Sequence, residues 1–403
     1  MLDVIVVGAR CAGAATAMLL ARHGYQVLML DKDPPGSDMA HSTHFVQPLA
    51  VGKLRKWGLL SALEAVCPGF DTYSLDFGTV VVRGTPPAVD GDARAFCPRR
   101  QALDPILVAA AEAAGVEYRP RTKFVDVLRN GNVVTGVQVV TATGKSESIL
   151  ARLVVGADGP GSSVAKAVSA AHYHEAPALQ ATMWGYWSGL EVNGLALTFK
   201  PGGAVYAGPT SDGDVMVGVN WVMEDFKALR SEIETSYYAT IAELTPTLSA
   251  QITRSTLSTP LRLGSTRNFL RVPYGPGWVL VGDAGHKKDP CTAQGITDAF
   301  IDADDCAVVI NQGLHGDHPF AEGFAAWHAA RDTRLVPFHE MTIQMAKFAE
   351  PDATEMALYR ALESNPEATT SFLGLVTGST NPQNFFAPDN LSGILAGVSD
   401  RSR

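Results

Sequence analysis

The first residues able to do chemistry are Gly8 and Gly13, in VVGARCAG after an apolar run, and Asp31, 18 residues beyond Gly13. Gly8 permits a sharp strand-to-helix turn, and Gly13 lets the helix pack closely on its sheet. A helix beginning there presents unpaired N–H groups and a partial positive charge, which suits a phosphate. An acid closing the next strand suits the hydroxyls of a ribose. The G-x-G-x-x-G pattern of a dinucleotide turn lacks its middle glycine, because Arg10 stands there. Arg10 is compatible with the turn if its side chain points away, where it adds positive charge near the phosphates.

Two further stretches end an apolar strand on an acid. VVGADGPGSS carries Asp158, and WVLVGDAGHKKDPCTAQGITDAF carries Asp283, then Pro290, then Gly295 opening a helix. An acid there can bind a chain of hydroxyls, and a bare helix N-terminus can stabilise an anion. Each stretch alone reads equally well as an Asp-capped turn. All three in this order read as one ligand site.

The elements that must position these residues follow from periodicity. Residues 3–7, apolar without a break from Val4, read as a parallel strand buried on both faces. A helix at 12–23 closed by Gly24 and a strand at 26–30 complete a βαβ unit. A helix is predicted at 102–114, then alternating strands broken by N-G and T-G turns, ending on a buried strand at 153–156. Residues 181–221 are β-rich, aromatic and punctuated by glycine. A helix at 224–242, a strand near 257–263, the strand before Gly282, a helix at 295–312 and a helical tail follow. The βαβ-type domain is thus interrupted by a mixed sheet and then resumed, with a pocket expected at the junction.

The 403 residues are 46% hydrophobic and 18% charged, as in an ordinary globular protein of two domains or one with large insertions. The net charge of −9 argues against a nucleic-acid surface and shows no polybasic membrane patch. No apolar run approaches the ~18 residues that span a bilayer, and strand-like sequence from residue 2 or 3 leaves no room for a signal peptide. The five cysteines lack metal-ligand spacing, so no metal is expected, and a reduced cytoplasmic protein is the simplest account. There is no internal repeat.

Together the three motifs resemble the FAD-dependent monooxygenases of the para-hydroxybenzoate hydroxylase type, whose relatives include geranylgeranyl reductases and flavin-dependent halogenases. The likeness runs through about residues 1–350 in motif order and is strongest at the motifs. It implies an α/β fold in which a Rossmann-type FAD-binding domain, a parallel sheet with a β-meander, is interrupted by a mixed-sheet substrate domain. The expected division is 1–70, 98–172 and 272–345 for FAD, 71–97 and 173–271 for substrate, and a helical tail over 346–403.

The resemblance also assigns roles. Gly8, Cys11, Ala12 and Gly13 would meet the FAD pyrophosphate through backbone groups, and Asp31 the adenosine ribose, with Lys32 and Phe124 as further cofactor contacts. Arg100, in RRQALDPIL, would face a phosphate or the ribityl chain. Asp158 supports FAD and NAD(P)H use, and Asp283 holds the ribityl chain. Gly295 and Ile296 would offer N–H groups to the flavin's pyrimidine edge, and Pro290 would lie beside the reacting edge. Ser42, Thr43 and His44 occupy the loop where many relatives carry arginines. GHKKDP sets Lys288 and Asp289 near the same edge. The G-A-R-x-A-G form of the first turn matches a branch of this family. A second nicotinamide turn is absent, in keeping with NADPH or NADH that docks transiently.

The implied reaction is hydroxylation of an aromatic or polycyclic small molecule with NAD(P)H and O2, through a flavin 4a-hydroperoxide. His44, His286 and Asp289 are the candidate bases. Trp184, Tyr186, Trp187 and Tyr206 either wall the substrate pocket or form plain sheet core. A reductase saturating an isoprenoid-like double bond is the alternative, although no membrane-facing amphipathic segment is evident. A halogenase lacks support, because the W-x-W-x-I-P signature is missing, and a flavin-binding protein without turnover stays open. Neither nucleic acid nor integral membrane is an expected partner, and the protein is a monomer or homodimer.

Overall fold

The computed structural model describes residues 1–39, 42 and 44–399. The opening apolar run forms β1 (Leu2–Val7), whose Val4–Val7 are buried; α1 (Cys11–Arg22) and β2 (Val27–Leu30) follow. β1 pairs in parallel with β2, Val4 opposite Val27 and Val7 opposite Leu30. On its other side lies the end of β3 (Ser146–Gly156), Leu153 opposite Val4. β3 in turn pairs in parallel with β4 (Trp278–Leu280). Strands that run the same way release their chains at the same edge, so Gly8, Asp31, Asp158 and Asp283 all leave the sheet on its carboxyl side. In open α/β sheets that edge is where ligands bind.

The switch from alternating to continuous hydrophobicity at 146–156 has a simple cause. β3 is one long strand whose first half pairs antiparallel with Val133–Val140 in a meander and whose second half enters the buried parallel sheet. α2 (Arg100–Ala113) begins two residues before the expected start, which places Arg100 in its first turn.

The second sheet is built on β5 (Gln180–Ser188), with Val215–Val222, Gly203–Pro209, Leu195–Lys200, Tyr73–Asp76 and Val81–Gly84 in spatial order beyond it. Two expected elements are divided. The 224–242 helix is Met223–Leu229 and Ile233–Leu244 with a 3₁₀ turn between, and the strand near 257–263 is Thr256–Leu257 and Arg262–Ser265 on either side of Pro260, which has no N–H for a ladder.

The chain returns through β4 to α3 (Gly295–His315), which packs on α1, then α4 (Phe320–Met345), α5 (Ala353–Glu363) and α6 (Pro366–Thr377). α5 and α6 lie against Val81–Gly84 of the second sheet, with Tyr359 stacked on Phe77 at 3.9 Å between ring centres. The helical tail therefore covers the second sheet. Among the described residues, no helix is long and apolar enough to cross a membrane.

Candidate active site

At the first turn Gly8 has φ +107°, and a Cβ there would come within 2.4 Å of the Ala157 carbonyl oxygen. A Cβ on Gly13 would fall 1.8 Å from the Gly8 carbonyl oxygen. Both glycines are therefore required by close backbone approach. α1 opens with no side-chain cap and no acid in its first turn, leaving its N-terminal dipole free for an anion. Arg10 does point away from the turn. Its charge, however, is neutralised by Asp104 (3.0 Å) and Asp33 (3.3 Å), with Ser37 as a third partner, so it supports the loop and is not left for phosphate.

Asp31 accepts hydrogen bonds from the Ala9 N–H (2.8 Å) and the Asp33 N–H (2.9 Å), one on each carboxylate oxygen. Each oxygen keeps a lone pair for a hydroxyl. Lys32 is exposed and pairs with Asp33. The Phe124 ring is buried among Ile5, Leu28 and Val139, so only its main chain could serve a ligand. Arg100 is buried, bound to Asp104 and close enough to Asp283 to feel its charge. The Cys11 thiol contacts the same Asp104, and burial pushes it up to about 12.

Asp158 behaves as a turn cap. Its carboxylate accepts from the Ser162 hydroxyl and from the N–H groups of Ser163 (2.6 Å) and Val164 (3.2 Å). Asp283 is partly exposed and pairs with Lys287 at 2.6 Å. Its neighbour Gly282, at φ +57°, lies so close to α1 that a Cβ would meet the Ala12 Cβ at 2.8 Å. The third motif thus sits against the first turn of α1. At the head of α3, a Cβ on Gly295 would meet nothing nearer than the Lys287 Nζ at 4.0 Å, while the following Ile296 is buried. Two uncapped helix ends, two glycine cradles and acids at separate strand ends together fit an extended dinucleotide.

The three candidate bases have different surroundings. His44 is buried in the left-handed region (φ +65°), its Nε2 bonded to the Tyr186 hydroxyl and its ring stacked on that of Tyr186. The Arg99 guanidinium lies 4.4 Å above the Tyr186 ring, and Arg262 sits 5.8 Å away, paired with Asp38. Burial, then the charges of Arg100, Arg262 and Arg99, hold the imidazole well below its usual value and hence neutral. The Trp184 indole N–H, a donor only, approaches the Tyr186 oxygen without closing a hydrogen bond. A neutral ring accepting at Nε2 carries its proton on Nδ1, and Nδ1 has no partner among the described residues. Ser42 accepts from the His44 N–H; Thr43 lies outside the described residues.

His286 is enclosed between Asp302 (3.4 Å) and Asp298 (3.7 Å). Lys288 (2.8 Å) and Arg334 (2.9 Å) pair with the same Asp298. Burial alone would raise Asp298, yet these cations hold it far below the usual carboxylate range. His286 and Lys288 therefore serve a buried ionic network behind the head of α3. Asp289 is also buried. One oxygen accepts from the Gln180 amide and the Cys291 N–H, the other has no partner among the described residues, and burial raises the carboxyl to about 6.

Pro290 reaches a cavity of about 30 Å³ between this turn and the second sheet, lined also by Phe45, Thr182, Leu197, Tyr206 and Val376. Tyr206 is pressed onto Gly218, where a Cβ would lie 2.0 Å from its ring. Trp184 and Tyr186 share that face of β5 but belong to the core beside the cavity. Trp187 is on the opposite face, against Tyr237. Sequence reasoning missed Arg99, Arg262 and Val376. Only Arg99 had a local signal, the doublet it forms with Arg100.

The parallel sheet and the residues gathered at its carboxyl edge define an FAD-dependent oxidoreductase. The family profile described as FAD binding domain matches residues 1–321, and the chain belongs to that family. Kynurenine 3-monooxygenase of Salinispora arenicola is 30% identical over 359 residues, 81% of this chain and 76% of the relative. Digeranylgeranylglycerophospholipid reductase 1 of Methanococcoides burtonii is 25% identical over 316 residues, 74% of this chain and 71% of the relative. The fold is that of the flavin-dependent brominase Bmp2, with a TM-score of 0.83, 16% identity and complete coverage of both chains. Monooxygenases, reductases and halogenases share this family, and NAD(P)H is its typical co-substrate.

Proposed function

We propose that the protein is a monooxygenase that uses FAD, NAD(P)H and O2 to hydroxylate an aromatic or polycyclic small molecule. The observation that carries this reading is the position of the apolar cavity, walled by Phe45, Leu197 and Tyr206 on one side and by Pro290, five residues before the head of α3, on the other. Gly8, Ala12 and Gly13 would hold the diphosphate, Asp31 the ribose, Asp283 the ribityl chain, and the N–H groups of Gly295 and Ile296 the pyrimidine edge. Bound FAD supplies the electrons from NAD(P)H with which O2 is activated.

The chain's own contribution is orientation, exclusion of water and placement of one proton. The His44 Nδ1–H, without a partner among the described residues, would be a neutral donor kept in place by Tyr186, suited to hold an oxygen atom as negative charge develops on it. His286 and Asp289 are less suited: one is enclosed by two carboxylates, and the other is held by the Gln180 amide and the Cys291 N–H.

The test is substrate-stimulated NAD(P)H consumption under ¹⁸O2 with a panel of phenols and polycyclic aromatics. The reading expects a product that carries one ¹⁸O atom. A product with two added hydrogens and no label would establish the reductase instead, and flavin reduction without any product would leave a binding protein.

A further inference from the structure

The cavity measures about 30 Å³, whereas a benzene ring occupies one of about 150 Å³. One wall must therefore yield when an aromatic molecule enters. Most of the lining comes from strands of the second sheet and from the 290–293 turn; Val376, at the end of α6, comes from the tail. α6 ends in Gly378 at φ +80°, and the last carbonyls of a helix need donors from elsewhere.

The Gly374 carbonyl takes the N–H groups of Gly378, Ser379 and Thr380, but the next two carbonyls are served by one side chain. The Gln294 Nε2 donates to the carbonyls of Leu375 (3.1 Å) and Val376 (3.3 Å). The Gln294 Oε1 accepts from the Lys288 Nζ at 2.8 Å, so its amide cannot flip without setting an NH₂ group against an ammonium. Lys288 in turn pairs with Asp298 at 2.8 Å, in the first turn of α3. Gln294 is buried and immediately precedes Gly295. Its side chain does not cap α3; it reaches away to α6.

We infer that Gln294 is a positioning residue, a latch that fastens the end of α6 over the substrate cavity and joins that wall to the turn at the head of α3. At the sheet, α6 is anchored independently, Thr369 lying where a Cβ on Gly84 would meet it at 2.9 Å. Releasing two hydrogen bonds frees the Val376 end while this anchor holds. Because Gln294 adjoins Gly295, closure of the wall and the geometry of the flavin-facing turn are coupled. The latch rests on the proposed function for calling this the substrate cavity, but its test requires no substrate.

Cys291 lines the cavity, whereas Cys11, Cys67, Cys97 and Cys306 are buried elsewhere. Iodoacetamide labelling of the FAD-loaded protein, read peptide by peptide, therefore reports cavity opening at Cys291 and general loosening at the other four. In Gln294→Leu, which lacks the donor, Cys291 labelling is expected to rise at least fivefold and deuterium uptake over residues 373–380 to rise with it, the other cysteines staying unlabelled. Gln294→Asn, too short to span Lys288 and the carbonyls together, gives the same pattern and serves if the leucine variant does not fold. An unchanged Cys291 rate in a folded variant, or a rise shared by the buried cysteines, overturns the latch. Failure of the ¹⁸O2 experiment with this labelling pattern intact would instead overturn the hydroxylase reading.

Discussion

Gly295→Ala separates the needs of the protein from those of its cofactor. The added methyl meets nothing within 4 Å except the Lys287 Nζ at 4.0 Å, and the residue already has helical backbone angles. Alanine gains up to about 1 kcal/mol over glycine in a helix, so the apoprotein is expected to unfold at the same temperature as wild type or slightly higher. In the proposed site the methyl would project where the pyrimidine edge of FAD approaches the N–H groups of α3. Overfilling a packed space costs about 1–3 kcal/mol, which weakens FAD binding roughly 5- to 150-fold. Quenching of flavin fluorescence gives the Kd, and a thermal melt of the apoprotein gives the stability. Gly8→Ala is the contrast: its methyl meets the Ala157 carbonyl oxygen at 2.4 Å in a left-handed conformation, so it destabilises the apoprotein itself. If Gly295→Ala leaves the Kd within twofold of wild type in a stable protein, the cofactor does not reach the head of α3, and the site assignment is wrong there.

Four other outcomes are expected. Asp289, raised by burial to about 6 from 3.8, holds its proton more tightly when folded, so its contribution is present below the unfolded value and lost as pH rises through 6. Wild type should lose on the order of 3 kcal/mol relative to Asp289→Asn between pH 4 and 7, and parallel denaturation curves that keep a constant gap would refute this. His44→Ala should lower substrate-stimulated turnover by about 10²-fold with FAD affinity unchanged; equal turnover removes the donor role. Lys288→Met leaves Asp298 short of a buried partner and should cost roughly 3–5 kcal/mol in urea unfolding, against a null result if Arg334 and His286 compensate. Gly218→Ala drives a methyl into the Tyr206 ring and should destabilise by about 1–3 kcal/mol, which a thermal melt checks.

The cofactor edge was legible because its signals are local. A continuous apolar run, a glycine where the backbone must turn and an acid at a strand end all lie within a few residues. Parallel pairing of β1, β2, β3 and β4 then brings such ends together without further information. Arg10 was half legible: sterics required its side chain to leave the turn, but its neutralisation by Asp104 depends on α2, 94 positions away. Strand alternation already separates Trp184 and Tyr186 from Trp187, so the place of Trp187 on the opposite face was readable from period two. Val376 was not. It reaches the cavity only because α5 and α6 fold back over the second sheet, a long-range packing choice with no motif. The left-handed His44 likewise needs Tyr186, 142 positions away, to give it meaning.

The central claim is that separate strand ends grip one FAD, and titration of the apoprotein tests it most directly. Wild type should bind one FAD per chain, while Asp31→Ala and Asp283→Ala, remote in sequence, should each weaken binding at least tenfold in a protein that still folds, Asp31→Ala with a lowered apoprotein melting temperature because the Ala9 and Asp33 N–H groups lose their acceptor. Wild-type affinity in both variants, or no FAD uptake by the wild type, would contradict the account.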